Sequence, residues 1–383
     1  MSKCVLCFYP VASDAVMLYC DNPKCAHERK VDAVATEYLG KDPGAGGDVT
    51  IGYSVVERRP PGVREWQPTN RFCKKCGSGL LRMCVRCHTP LPEVVLNSDV
   101  TAVAFAGPRS SGKTVAMKVG LSPLYNMIVG MGGALALMPA LSTVKITDQD
   151  LKSQALPATE RRVPWTLVFS LGQIAGRSRI LAIRDIAGED LAAADAPGKF
   201  DYFEYADLIV FLFDPFEVPQ VRHALEDILP AQEIIGADTT QVFTNLLGLI
   251  GRGSPRLAIV VSKFDVLHEL STVDANVAAP FHNPGAGYMR SRPDGPTYDE
   301  VLGALISEEV RSLLAMLDAQ GLVNLAEHPP TVTPAETRFF AMSALGASTD
   351  GTELSARGKS PYRVVDPLFW ILATRGIVRT IGK

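Results

Sequence analysis

The sequence predicts an α/β protein, a mostly parallel sheet covered by helices, preceded by a small cysteine-rich metal-binding module. Three observations predict it. All eight cysteines fall between Cys4 and Cys87. From about residue 99, short runs of consecutive apolar residues alternate with stretches that read as helices, the pattern of parallel strands buried on both faces. A complete G-x-x-x-x-G-K-[ST] motif, Gly107 to Thr114, stands between the first of these runs and the first helix.

Composition agrees with this architecture. A chain of 383 residues has room for a large core and an accessory module. With 47% apolar and 21% charged residues it belongs among globular chains and not disordered ones. A net charge of −3 gives no bulk attraction to nucleic acid or an anionic membrane. The N-terminus lacks the apolar run and cleavage-like site of a secretory signal, so a cytoplasmic location is expected. Paired cysteines in a reducing compartment read as metal ligands or redox groups before disulfides, and two C-x-x-C units seven residues apart favour metal.

Residues 1–95 form the cysteine-rich unit. It is interrupted by Lys41-Asp42-Pro43-Gly44-Ala45-Gly46-Gly47 and by Arg59-Pro60-Pro61-Gly62, and it can bury little apolar surface, so metal is needed to hold it. Cys73-x-x-Cys76, followed after seven residues by Cys84-x-x-Cys87, matches a zinc ribbon, in which two knuckles place four thiolates around one ion. Cys4, Cys7, Cys20 and Cys25 make a second site. The wider gap between Cys20 and Cys25 leaves His27 as a substitute ligand, and ligand pairs shared across the module are an alternative. Two zinc ions are expected, both structural because four thiolates close the coordination sphere. Arg71, Lys74, Lys75, Arg82 and Arg86 make the second ribbon basic. A solvated face accounts for them, with nucleic-acid contact as the alternative. Recruitment of a protein partner is the expected role of the module, and Thr89-Pro90-Leu91-Pro92 reads as the linker out of it.

Residues 96–383 carry the α/β domain. Val100 to Ala106 is its first strand. The uncharged stretch Leu121 to Leu141 holds Pro123, Asn126 and Pro139, and reads as a buried helix and its following loop instead of a membrane span. Trp165 to Leu171 and Arg179 to Ile183 are a strand pair joined by a short Gly-containing connection, hence antiparallel. Leu208 to Phe213, Leu257 to Val261 and Phe339 to Met342 follow. Helices are expected at Gln220 to Ile228 and Tyr298 to Leu317, with a helical insertion near 216–255.

The motifs sit at strand ends. Gly107, Ser110, Ser111 and Gly112 can turn backbone N–H groups toward phosphate oxygens, Lys113 can reach the outer phosphates, and the Thr114 hydroxyl can coordinate magnesium. Asp185 can hold the same ion through water, and Gly188 can offer its N–H to a terminal phosphate because no side chain blocks the approach. Ser262-Lys263-Phe264-Asp265 ends another strand. The Asp265 carboxylate can accept from both guanine donors while the Lys263 stem covers the base, and backbone N–H groups at Ser343 and Ala344 can meet the guanine carbonyl.

In this order, these motifs resemble the Ras-like P-loop GTPase superfamily over residues 99 to 383. The resemblance is closest to the bacterial double-GTPase (DO-GTPase) class, through Asp185-Ile-Ala-Gly188-Glu189-Asp190, Leu156-Pro157-Ala158-Thr159 and Asp366-Pro367-Leu368-Phe369-Trp370. The resemblance implies a GTP-binding and GTP-hydrolysing switch using GTP, GDP and Mg2+ in a bacterial signalling or conflict system. Thr159 would be the switch threonine that closes over magnesium, with Thr143 and Thr147 as rivals. Ser262 departs from the usual Asn or Thr. Arg109 stands where Gly is frequent, either as a cation near the terminal phosphate or pointing to solvent. Glu189 replaces the Gln that orients water and could serve as general base. Lys113, Glu189, Thr159 and Arg109 are thus the expected catalytic set, slow without a partner or activator. The alternatives are a non-hydrolysing nucleotide-bound scaffold and an ATP-dependent nucleic-acid-binding protein.

Overall fold

The computed structural model describes residues 2–11, 15–39, 49–63, 66–143, 165–186, 188–192, 200–225, 239–269, 283, 285–290, 295–344 and 361–382. The strands in chain order are β1 (Ala15–Tyr19), β2 (Lys30–Val31), β3 (Thr50–Ile51), β4 (Ser54–Arg58), β5 (Leu81–Met83), β6 (Asp99–Ala106), β7 (Ala136–Leu137), β8 (Trp165–Ile174), β9 (Arg177–Asp185), β10 (Leu208–Phe213), β11 (Arg256–Val261), β12 (Thr297–Asp299), β13 (Glu336–Ala341) and β14 (Arg379–Ile381).

Seven of them form the main sheet, in the order β13-β11-β10-β6-β9-β8-β7. The first five of these are mutually parallel, β8 runs antiparallel to β9, and β7 antiparallel to β8. The α/β class and mostly parallel sheet expected from the apolar runs are therefore observed. Side chains alternate between the two faces. Ala102, Ala104, Ile209, Phe211, Leu257 and Ile259 enter one apolar core, and Val103, Phe105, Val210, Leu212, Ala258 and Val260 the other. Both cores are apolar, which is why these strands read as unbroken apolar runs.

Helix α3 (Lys113–Gly130) covers one face together with the helix Asp366–Thr374. Pro123 lies inside α3 without ending it. The opposite face carries Thr239–Ile250, Glu300–Met316 and Gln320–Glu327. No helix among the described residues is long and apolar enough to cross a membrane.

The N-terminal segment builds a three-stranded antiparallel sheet, β4-β1-β5, a β2–β3 pair, and the short helices α1 (Ala33–Tyr38) and α2 (Glu93–Leu96). It does not hang free. Val5, Leu6, Phe8 and Tyr38 join the same core as Tyr202, Phe203 and Ala206. The Thr89 to Pro92 stretch departs from the expected linker: Leu91 is buried, its N–H donates to the Arg82 carbonyl at 2.9 Å, and Pro90 bridges to Met83. Its apolar side chains find a core to enter, so its prolines shape a folded turn instead of a tether.

Candidate functional site

The eight thiols gather into two groups of four. Cys4, Cys7, Cys84 and Cys87 form one, and Cys20, Cys25, Cys73 and Cys76 the other, with the sulfurs of each within 4.8 Å of one another. Sγ pairs lie 3.5 Å (Cys4, Cys87), 3.6 Å (Cys7, Cys84), 3.6 Å (Cys20, Cys76) and 3.7 Å (Cys25, Cys73) apart. A disulfide needs about 2.05 Å. Four sulfurs placed tetrahedrally about 2.3 Å from a divalent metal stand about 3.8 Å apart, close to the spacing observed.

This grouping corrects the pairing expected from spacing. Cys73 and Cys76 do not share a centre with Cys84 and Cys87, and Cys4 and Cys7 do not share one with Cys20 and Cys25. The three-residue strand β5 lies between the Cys73–Cys76 and Cys84–Cys87 turns, which belong to different centres. His27 is not among the four ligands of its centre; its Nε2 lies 3.3 Å from the Cys73 sulfur and its ring stacks on Tyr53 at 4.8 Å.

Local backbone explains why the pairs form. In each C-x-x-C unit the residue after the second cysteine is left-handed: Phe8 (φ 58°), Gly77 (φ 70°) and His88 (φ 56°). That residue's N–H donates to the first cysteine's carbonyl at 2.9–3.0 Å, closing a turn that aims both sulfurs to one side. Burial pushes the Cys4 and Cys7 thiols well up and Cys20 up to about 12. Hydrogen bonds from Ser78 bring Cys76 down to about 6, and its partners Cys4, Cys7 and Cys87 hold Cys84 far below the thiol range. Buried thiols of such uneven acidity suit ligands that a metal ionises together.

The first centre also forms the contact with the main domain. The Leu6 carbonyl, between Cys4 and Cys7, accepts from the buried Arg184 guanidinium of β9. Arg86, between Cys84 and Cys87, pairs with Asp201. Lys3 donates to Asp207 at 2.8 Å and to the Tyr205 carbonyl at 2.7 Å, while the other oxygen of Asp207 caps the Ala102 N–H at 2.8 Å. Nothing in their spacing identifies Arg184, Asp201 or Asp207 in the sequence, because each acts across a long chain separation.

The Gly107 to Thr114 loop lies at the end of β6, opening α3. Gly107 (φ 139°) passes so close to β10 that a Cβ would lie 2.7 Å from the Leu212 carbonyl oxygen, and Gly112 (φ 87°) turns the chain into the helix. Ser110 also has a positive φ, 62°. Buried Lys113 folds back across the loop, its Nζ 2.8 Å from the Gly107 and Pro108 carbonyls and 3.4 Å from Ser111 Oγ. The Thr114 hydroxyl stands 3.3 Å from Asp185 Oδ2, so the structure brings these two residues together. Gly188 is buried against the loop, and Arg109 is exposed.

Across β10 and β11, Ser262 Oγ donates to the Phe213 carbonyl at 3.0 Å. Lys263 (φ 49°) pairs with Asp214 at 2.5 Å and lies 5.2 Å from the Phe216 ring. Asp265 accepts from the Ser343 hydroxyl at 2.5 Å, and Ala344 adjoins it. Asp214 has no motif around it and escapes sequence reading. Thr143 binds the edge of β8, its hydroxyl accepting from the Thr166 N–H at 2.8 Å. Thr147, Thr159 and the 156–159 segment lie outside the described residues, as does the side chain of Glu189.

No protein-family model matches the chain. It is 34% identical over 394 residues to SaeC of Mycolicibacterium smegmatis, whose provisional name is ESX-1 scaffolding and assembly protein; the match covers 99% of this chain and 100% of the relative. This relationship corrects the functional expectation. A relative matched from end to end is named for scaffolding and assembly and not for hydrolysis, which overturns the assignment to the Ras-like or DO-GTPase class and the reading as a GTP-hydrolysing switch. With it go the enzyme assignment and the hydrolytic roles expected of Lys113, Glu189, Thr159 and Arg109. The physical reason is that strand-end motifs specify a cradle and a fold, and neither specifies turnover.

Proposed function

The chain belongs to the family of SaeC, and from that membership we propose that it is an assembly scaffold for ESX-1, with protein partners and no catalytic turnover as its function. The end-to-end relationship is the observation that carries this reading. A scaffold needs a rigid frame, and two four-cysteine centres, one of them wedged against the main sheet, supply a way to fix one. Zinc is the metal that suits them, since four thiolates at these spacings match its tetrahedral preference, and both sites would be structural. Free thiol pairs fit a reducing cytoplasm.

The loop from Gly107 to Thr114 would then serve as a ligand site and not as a reaction centre. In this reading the amides of Gly107, Ser110, Ser111, Gly112 and Gly188 with Lys113 hold the phosphates of a nucleotide, Thr114 and Asp185 hold magnesium, and Lys263, Asp265, Ser343 and Ala344 face the base. Bound nucleotide would stabilise the frame by mass action, with no chemistry required.

The test is genetic and biochemical. Deleting the gene in its own host should prevent the ESX-1 complex from being recovered intact, and re-supply of the chain should restore it. Re-supply with Lys113→Ala should restore it in part. Full assembly in the deletion strain would overturn the scaffold reading. Calorimetry with magnesium and GTP, GDP, ATP or ADP separately tests the ligand site.

A further inference from the structure

Arg184 is fully buried in the middle of the protein. Its neighbours across the sheet are Ala104 on β6 and Thr166 on β8. Because side chains alternate along β9, Arg184 faces the N-terminal module while Asp185 faces the phosphate loop, where it meets Thr114. A guanidinium stays charged at any ordinary pH, and removing one from water is costly unless charge or acceptors compensate.

The hydrogen bonds of this guanidinium among the described residues go to two carbonyls, those of Leu6 and Tyr38, the latter at 3.2 Å. Its Nε is buried without an acceptor. The face of the group lies 4.2 Å from the Tyr202 ring centroid. Carbonyls and a ring supply only partial negative charge. Asp185, Asp190 and Asp201 are acids whose charges act on the Tyr202 ring; Asp201 is engaged by Arg86 and the Tyr38 hydroxyl, and Asp185 faces Thr114. What the Leu6 contact adjoins is the first cysteine centre, because Leu6 is inside the Cys4 to Cys7 turn. Four thiolates around a divalent ion leave a net charge of about −2, a full anion in a buried place.

We propose that Arg184 is the buried counter-charge of the centre formed by Cys4, Cys7, Cys84 and Cys87, so that loading that centre with metal and seating the module on β9 are a single event. The proposal rests on the metal reading given above. Without the ion, the guanidinium is left with the Leu6 and Tyr38 carbonyls and the Tyr202 ring. The Cys20, Cys25, Cys73 and Cys76 centre makes no described contact with Arg184 and serves as an internal control.

The experiment uses the full chain loaded with zinc. Metal release into excess chelator is followed with a chromophoric zinc reagent, and the two ions are told apart by the phase lost in Cys25→Ser. Arg184→Met should speed release from the first centre at least tenfold and leave the second within twofold. Arg184→Lys, which keeps the charge, should recover most of the difference. An unchanged first phase in Arg184→Met would overturn the proposal, and so would equal acceleration in the methionine and lysine variants, since shape and not charge would then be at work. If the native chain holds fewer than two ions, the metal reading fails before any variant is made. Should Arg184→Met not fold, hydrogen exchange on the native chain decides: amides of 177–185 and 200–206 should lose protection as the first ion is stripped, and retained protection there would overturn the idea.

Discussion

Arg86, inside the turn from Cys84 to Cys87, is ion-paired with Asp201, and its guanidinium lies 5.5 and 5.1 Å from the rings of Tyr9 and Tyr205, which also meet edge to face. Asp201 also accepts from the Tyr38 hydroxyl at the end of α1. One acid thus ties a knuckle and a helix of the module to the segment before β10. Burial works against the charge on Arg86, yet Asp201 holds it above its usual range. Asp201→Ala leaves two donors without their acceptor, and should cost about 1–3 kcal/mol of stability in denaturant titration. It should also open the module to limited proteolysis, and Asp201→Asn should do so less.

Removing ligands one centre at a time separates the two sites. Cys84→Ser should lose one ion, and because that centre is packed against the main domain, destabilise the whole chain by at least about 3 kcal/mol. Cys25→Ser should lose the other ion and disturb chiefly the module. Metal content with thermal unfolding of each variant checks both outcomes. In stripped protein, Cys76, lowered by Ser78 and less buried than Cys84, should be the fastest alkylated near pH 7.

Gly188 packs against the backbone of the Gly107 to Thr114 loop. A Cβ there would lie 2.3 Å from the Arg109 nitrogen and 2.5 Å from the Pro108 carbonyl carbon, both backbone atoms that cannot swing away. Gly188→Ala should therefore displace the loop and weaken any polyphosphate ligand at least tenfold by calorimetry. Gly130→Ala, with open space around the new methyl, should leave affinity unchanged.

Glu57 gives a pH signature. Burial raises its carboxyl, but the backbone and side-chain donors of Asn70 and Thr69 outweigh burial and hold it below 4.5. A depressed carboxyl contributes its full stabilisation above the unfolded-state value and loses it as pH falls through the folded one. Glu57→Gln should thus be less stable than the native chain near pH 7, with the gap closing below about pH 4.5. A gap that persisted undiminished at pH 3 would argue against the carboxylate as the acceptor.

Much of the main sheet is legible in the sequence. Leu208 to Phe213 is a strand over the span its apolar run marks, because a strand buried on both faces has no polar positions to blur its ends. The C-x-x-C pairs are legible too, since their turns are local. Which pairs share a centre is not, because spacing along the chain says nothing about where a β-sheet carries two distant turns. Arg184 and Asp201 are equally silent, being ordinary charged residues whose meaning arises only when the module docks. The loop motif marks the turn from β6 into α3, and the same motif misleads about turnover.

The two cysteine centres are nested, the first and last pairs enclosing the middle two. On a ribosome the inner ring can close once residue 76 has emerged, and the outer ring only after residue 87, so biosynthesis fixes their sequence. The docking groups Arg184 and Asp201 are made roughly a hundred residues later. A nascent chain therefore completes all eight thiols while its mating face is still bare, and the outer four can take their docked form only once β9 has been added.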